Sequence, residues 1–344
     1  LVNVHLIRTI WAHWSAHSGV NQFVKYVDPA RFAVREQLVV DGFRNNHYIN
    51  EKARAVFRRS GVEWYKLYDF LAEARALPRL LTGRTDVLHY LDADHTAFLL
   101  PHAKRLGATR ARMVASYHQP PDILRTIAPR HVVTCFDRIV VVSPEQAEYF
   151  SGIVDAARVR LIMHGIDTEY FRPSPGPRRP GPFRCLTVGF WLRDFQAISQ
   201  VADRLSGRRD IEFHVVAPET GDLQARPNLT IHRGIPDDEL RRQYQEADIL
   251  FLPLLKATAN NVLLEGLATG LPIVTTGLPS VKTYLDGAEA ALVEENDAAL
   301  LADTVLGLID DTDRRARMSR SSRARAEQLD WRQIAKQYED VYVD

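Results

Sequence analysis

Apolar residues along the chain gather into short continuous runs, and the stretches between them carry helical spacing. In the first half the runs are Val4–Ile7, Arg35–Val40, Val87–Leu91, Met113–Tyr117, Arg138–Val142 and Arg158–Ile162. In the second half they are Cys185–Val188, Glu212–Ala217, Leu229–His232, Ile249–Leu252, Ile273–Thr276 and Ala291–Val293. Helices fit Glu51–Ser60, Leu67–Leu81, Ala97–Leu106 and Pro144–Phe150, then Gln196–Leu205, Asp237–Ala247, Asn261–Ala268 and Asp297–Leu308. Apolar runs that do not alternate suit strands buried on both faces. Their regular exchange with helices predicts parallel sheets in an α/β fold. From Asp313 the pattern is helical again, first Arg-rich and then with Trp331, Ile334, Tyr338 and Val341 as an apolar stripe.

The run from Arg172 to Phe183 holds five prolines and two glycines, so it neither continues a helix nor sits inside a sheet. It divides the chain into a first domain over 1–171, a linker over 172–183, a second domain over 184–328 and a closing helix over 329–344. Two α/β units in tandem predict a cleft where a ligand meets the carboxyl ends of both sheets.

Composition narrows the classes. Apolar residues make up 46% and charged residues 25% of the 344, which excludes disordered, collagen-like and low-complexity chains. With 44 basic against 43 acidic side chains the formal charge is +1, which argues against a nucleic-acid partner held by broad phosphate neutralisation. The balance is uneven: residues 1–171 carry 22 basic and 17 acidic side chains, a net of +5, and the rest a net of −4. The two cysteines, Cys135 and Cys185, read as buried free thiols of a reducing compartment. No run approaches the ~18–20 apolar residues needed to span a bilayer. The expectation is a cytoplasmic protein, with peripheral contact at the inner membrane face left open.

The most informative stretch runs from Leu250 to Thr276. An apolar strand ends at Pro253, a short polar loop follows, and Asn260 or Asn261 can cap the next helix. Free amides at that helix end, aided by its dipole, make a seat for a diphosphate. Glu265 lies four residues after Asn261, on the same face one turn on, where a carboxylate can accept from two ribose hydroxyls. A capped core helix with a solvated Glu fits the same spacing equally well.

Glu265-Gly-Leu-Ala-Thr-Gly-Leu-Pro-Ile-Val resembles the donor-binding motif of retaining GT-B glycosyltransferases of the sucrose-synthase-like and mannosyltransferase-like family. Their pattern is Glu, seven residues, Glu, then Ala/Gly-x-Ala-x-Gly-x-Pro. The resemblance assigns nucleotide ribose to Glu265. The family's first Glu, which contacts the transferred sugar, is replaced here by Ala257, followed by Thr258. The resemblance extends over nearly the whole chain. Ser18 and Gly19 match the glycine loop near the donor phosphate, and His118 matches the His facing the donor sugar. Gly189 opens the loop that carries phosphate-neutralising cations in the family. Phe190 stands at the expected Arg, so Arg193 and Lys256 become the candidate cations, with Asp194 orienting Arg193.

The implied fold is GT-B, with two Rossmann-like parallel-sheet domains. The implied activity is hexosyl transfer from a UDP- or GDP-sugar to an acceptor hydroxyl, with retention by front-face attack and without metal or other cofactor. The catalytic set is His118, Arg193 and Glu265. The donor set is Ser18, Gly19, Gly189, Arg193, Lys256, Thr258, Asn260, Asn261, Val262 and Glu265. Asp92, Asp94 and His95 have the look of a metal motif but read better as acceptor contacts or a helix cap. The acceptor is a saccharide, a lipid-linked sugar or a small molecule. Arg54, Arg58, Arg59, Arg75, Arg79 and Arg84 fit either an anionic membrane or phosphorylated acceptor, or a plain solvated face. Three rivals stand beside this reading: a nucleotide-sugar epimerase, an inactive nucleotide-sugar-binding or partner subunit, and a dinucleotide oxidoreductase. The last is disfavoured because no Gly-x-Gly-x-x-Gly follows a strand.

Overall fold

The computed structural model describes residues 1–9, 16–39, 47–176 and 180–344. Two expectations reach outside that set: Val40 at the end of the second strand, and Pro177, Arg178 and Arg179 in the Pro-rich run. The chain divides into two compact units. The first holds Leu1–Trp14, Phe23–Met163 and Ile334–Asp344; the second holds Ser15–Gln22 and His164–Gln333.

Each unit is built on a six-stranded, wholly parallel sheet. In the first unit the strands are β1 (Val2–Thr9), β2 (Phe32–Val39), β3 (Val87–Tyr90), β4 (Arg112–Tyr117), β5 (Arg138–Val141) and β6 (Val159–Leu161), in the spatial order β2-β1-β3-β4-β5-β6. In the second they are β7 (Phe183–Val188), β8 (Ile211–Val216), β9 (Leu229–His232), β10 (Ile249–Leu252), β11 (Ile273–Thr276) and β12 (Ala290–Val293). Their order, β12-β11-β10-β7-β8-β9, is the doubly wound Rossmann order read from the other edge. The chain starts this sheet at β7 and later returns to place β10 at its side. The loops after β7 and β10 therefore lie at the topological switch point on its carboxyl edge, where folds of this order bind ligands.

Each core follows from the apolar runs. Ile7, Leu88, Tyr90, Met113 and Ile139 are fully buried in the first unit, and Phe213, Val215, Phe251, Val274 and Leu301 in the second. Helix Asn261–Ala268 lies against β10 because position 266 has no side chain: a Cβ there would sit 2.7 Å from Leu250 Cδ2. The stripe on the closing helix Trp331–Val343 is buried throughout. Within the first unit Tyr338 stacks on Phe23 at 4.2 Å, and the Tyr342 hydroxyl meets His89 Nδ1 at 2.7 Å. Within the second, Trp331 covers Gly165, where a Cβ would lie 2.5 Å from the indole. Cys185 is buried as expected, but Cys135 is only half-buried, because it follows a short helix and its thiol donates back to His131 O.

The first unit buries a carboxylate at its centre. Glu73, on helix Leu67–Leu81, accepts from the Tyr65 and Tyr90 hydroxyls and from the backbone amides of Phe98, Leu99 and Leu100. The last two amides open helix Leu99–Arg105, which no side chain of its own caps. Burial pushes Glu73 up to about 7, and the Tyr65 and Tyr90 hydroxyls and the Leu100 and Leu99 amides oppose that rise. Backbone donors cannot turn round, so Glu73→Gln sets an amide N–H against a fixed N–H. The expected cost is roughly 2–4 kcal/mol in urea denaturation at pH 8. A loss below about 1 kcal/mol would contradict this role.

Candidate functional site

The loop after β7 is shaped by its own arginine. Gly189 adopts φ +82°, and a Cβ at this position would lie 2.9 Å from Arg193 Nη2. Arg193 is half-buried. It donates from Nε to Val188 O (2.9 Å), from Nη1 to Trp191 O (3.0 Å) and from Nη2 to Asn260 Oδ1 (3.4 Å). Burial lowers it to about 10, which leaves it charged at neutral pH. The expected pairing with Asp194 is corrected. Asp194 Oδ1 caps helix Phe195–Arg204 at Ala197 N, and Oδ2 accepts from Asn296 Nδ2. Asp194 N also donates to Pro253 O and Leu255 N to Leu192 O, which ties the β7 loop to the β10 loop.

The β10 loop ends at Asn260, whose Oδ1 accepts from Val262 N (3.1 Å) and Leu263 N (3.3 Å). The capping residue is therefore Asn260 rather than Asn261. Two of the first-turn amides expected to seat a diphosphate are already taken by this side chain. Thr258 is buried and Lys256 is exposed on the same loop, and Ala257 O accepts from Ser280 Oγ.

One turn into the helix, Glu265 is buried rather than solvated. Its Oε1 accepts from Ser18 Oγ and its Oε2 from Tyr244 OH (2.6 Å). Burial pushes it up to about 7; the two hydroxyls lower it, Asp237 raises it and Arg193 lowers it. Both partners are hydroxyls, which rotate to accept as readily as they donate. The pocket thus accommodates the acid in either protonation state. Ser18 comes from the segment after β1 that belongs to the second unit, and Gly19 beside it adopts φ +98°.

The remaining candidates lie in the first unit, at the carboxyl ends of β3 and β4. Asp94 is buried and accepts from His118 N (3.0 Å) and Gln119 N (3.2 Å), and burial raises its pKa. His118 Nε2 is 2.6 Å from Leu91 O. Asp92 accepts from Thr9 N at 2.9 Å, so it ties β1 to the β3 loop. Burial lowers His95, but Asp69 and then Asp92 and Asp94 outweigh it and raise the imidazole. Asp92 and Asp94 are thus spent on backbone amides. Among the described residues no group of three His, Cys, Asp or Glu is placed to hold a metal.

Sequence reasoning missed Tyr244 and Asn296. Asn296 donates to Leu254 O as well as to Asp194, and it joins Thr276 on β11 to both loops. Neither sits in a motif, and only the fold brings them to the site.

The raised acid makes stability depend on pH. A carboxyl near 7 in the folded chain, against an ordinary 4.5, takes up a proton on folding between those values. Wild type therefore loses stability as pH rises from about 4.5 to 7 and none above that from this group. Glu265→Gln lacks this slope. Between pH 5 and pH 8 it gains on the order of 2 kcal/mol relative to wild type in urea denaturation. A difference that does not change with pH would contradict the assignment.

Comparison with known proteins agrees with this fold. Residues 34–170 match the family model described as Glycosyltransferase Family 4, and residues 191–311 match Glycosyl transferases group 1. A D-inositol 3-phosphate glycosyltransferase from Corynebacterium efficiens is 34% identical over 281 residues, covering 72% of this chain and 65% of that protein. Its counterpart from Thermobispora bispora is 24% identical over 304 residues, covering 76% and 71%. The chain spans between 58% and 71% of the length of such curated relatives. Sucrose-phosphate synthase from Thermosynechococcus elongatus superposes with a TM-score of 0.72 at 15% identity, covering 100% and 98% of the two chains. HepE of Anabaena, solved in complex with UDP-glucose, gives 0.70 at 12% identity and covers both chains fully. Paired Rossmann-like sheets, and glycosyltransferase models covering most of the sequence, place the chain in the GT-B glycosyltransferases.

Proposed function

We propose that the chain transfers a hexosyl group from a nucleoside-diphosphate sugar to an acceptor hydroxyl with retention of configuration. The observation that carries this reading is the buried Glu265 carboxyl with hydroxyl partners, one turn inside the helix at the β7/β10 switch point. Ribose hydroxyls can take the place of the Ser18 and Tyr244 hydroxyls with no change in hydrogen-bond type. Two of the helix amides are capped by Asn260, so charge on the leaving diphosphate falls mainly to Arg193 and Lys256. Arg193 has five N–H donors and spends three on loop acceptors. Metal independence and front-face attack belong to the proposal: the protein fixes the reactants and stabilises the departing phosphate, which assists acceptor deprotonation.

The curated relatives are named for D-inositol 3-phosphate, a phosphorylated polyol. Exposed Arg58, Arg59, Arg75 and Arg84 suit an anionic acceptor, so that compound belongs in the acceptor panel with simple saccharides and lipid-linked sugars. A second reading, an inactive nucleotide-sugar-binding subunit, is favoured by one observation. Phe190, at the family's arginine position, packs on the core of the second unit rather than offering a charge.

The test is transfer from UDP-, GDP- and ADP-hexoses in the presence of EDTA, with product anomers read by NMR. The expected result is one preferred donor, a retained anomer and no loss of rate with EDTA. Arg193→Ala should lower kcat roughly 100-fold with a smaller change in KM. An inverted product or a divalent-ion requirement would overturn the mechanism. Nucleotide binding without transfer or donor hydrolysis would select the second reading.

A further inference from the structure

A three-layered stack in the second unit has no part in the reading above. The His17 imidazole lies on the Tyr170 ring with centroids 3.4 Å apart and planes 4° from parallel. The Arg241 guanidinium lies 4.6 Å from the centroid of the same ring. An imidazole in van der Waals contact fills one face, so the cation takes the other. Asp238 Oδ1 holds Arg241 at 3.0 Å and accepts the Tyr170 hydroxyl at 3.4 Å.

The loop bearing His17 is pinned at two further points. Asp237 Oδ2 accepts from Ala16 N at 2.8 Å, and Glu265 accepts from Ser18 Oγ. Gln22 Nε2 closes the loop on Ala16 O at 2.9 Å. Asp237, Arg241 and Tyr244 occupy positions i, i+4 and i+7 of helix Asp237–Glu246, one face of that helix. That face holds the loop backbone at one end, the stack in the middle and the Glu265 carboxyl at the other. The half-buried Tyr170 ring joins the loop to it.

We infer that Tyr170 is a positioning residue of the donor site: by stacking on His17 it holds the backbone of the loop that carries Ser18 and Gly19 in place before a nucleoside diphosphate binds, and only the Ser18 hydroxyl has to rotate off Glu265 when ribose arrives. The inference rests on the donor-site reading of Glu265. Its physical content is preorganisation. A loop already seated loses less freedom when the ligand arrives, and the stack supplies the seating. The ring carries the effect, because among the described residues the Tyr170 hydroxyl makes only a long contact to Asp238.

The test is calorimetric titration of UDP, GDP and ADP into wild type, Tyr170→Ala, Tyr170→Phe, His17→Ala and Glu265→Ala, with melting midpoints taken without nucleotide. Tyr170→Ala and His17→Ala should each weaken the preferred nucleotide about 5- to 10-fold. Tyr170→Phe should restore wild-type affinity within about twofold. His17 is not part of the core, so His17→Ala carries the test if Tyr170→Ala fails to fold. Wild-type affinity in both Tyr170→Ala and His17→Ala, beside a loss in Glu265→Ala, would overturn the clamp and leave the donor site standing. Equal losses in Tyr170→Phe and Tyr170→Ala would overturn the role of the ring. If wild type binds none of the three nucleotides, or Glu265→Ala binds as wild type does, the donor site falls and the clamp with it.

Discussion

The second unit depends on one buried acid. Glu265 sits where the sheet order reverses, and a carboxyl there is tolerable only because hydroxyls from two distant segments reach it. Each partner has its own support. Ser18 arrives on a loop held by Asp237 and Tyr170, and Tyr244 projects from the helix that also supplies Asp237. Gly266 lets the helix beneath approach β10 closely enough to bring the carboxyl to the switch point. Fold and site are thus linked at a single residue pair, Glu265 and Gly266. Glu265 carries the polar chemistry, and Gly266 clears the space that places it.

Two buried glutamates show how partners decide behaviour. Glu73 and Glu265 are both pushed up to about 7 by burial. Glu73 faces three backbone amides, which only donate, so its negative form is part of the scaffold. Among the described residues Glu265 accepts hydrogen bonds from hydroxyls only, and hydroxyls exchange readily with those of a ligand. Equal burial therefore gives a structural strut in one unit and a replaceable contact in the other.

Much of the architecture was legible because parallel strands buried on both faces leave continuous apolar runs. Each of the twelve runs coincides with a strand, several within a residue at both ends. The short helices Ala93–Thr96, Pro121–Ile127, Arg130–Val133 and Pro279–Tyr284 escaped notice, since four to seven residues show no period. In the site, local spacing pointed to Asn260 and Glu265 because capping and i,i+4 geometry are written within one helix. It could not show that Asn260 would occupy the amides, that Arg193 would turn back onto its own loop, or that Asp194 would cap a helix instead. Those contacts span mostly five residues or fewer and follow from how each loop turns, whereas the partners of Glu265 come from far along the chain. Tyr244 lies 21 positions from Glu265 and Ser18 lies 247.

The most direct test of the account is a crystal structure of the chain with its tightest-binding nucleoside diphosphate. The account predicts both ribose hydroxyls within hydrogen-bond distance of the Glu265 carboxylate, with the Ser18 or Tyr244 hydroxyl displaced, and the diphosphate beside Arg193. A nucleotide bound elsewhere, with Glu265 still held by Ser18 and Tyr244, would contradict it.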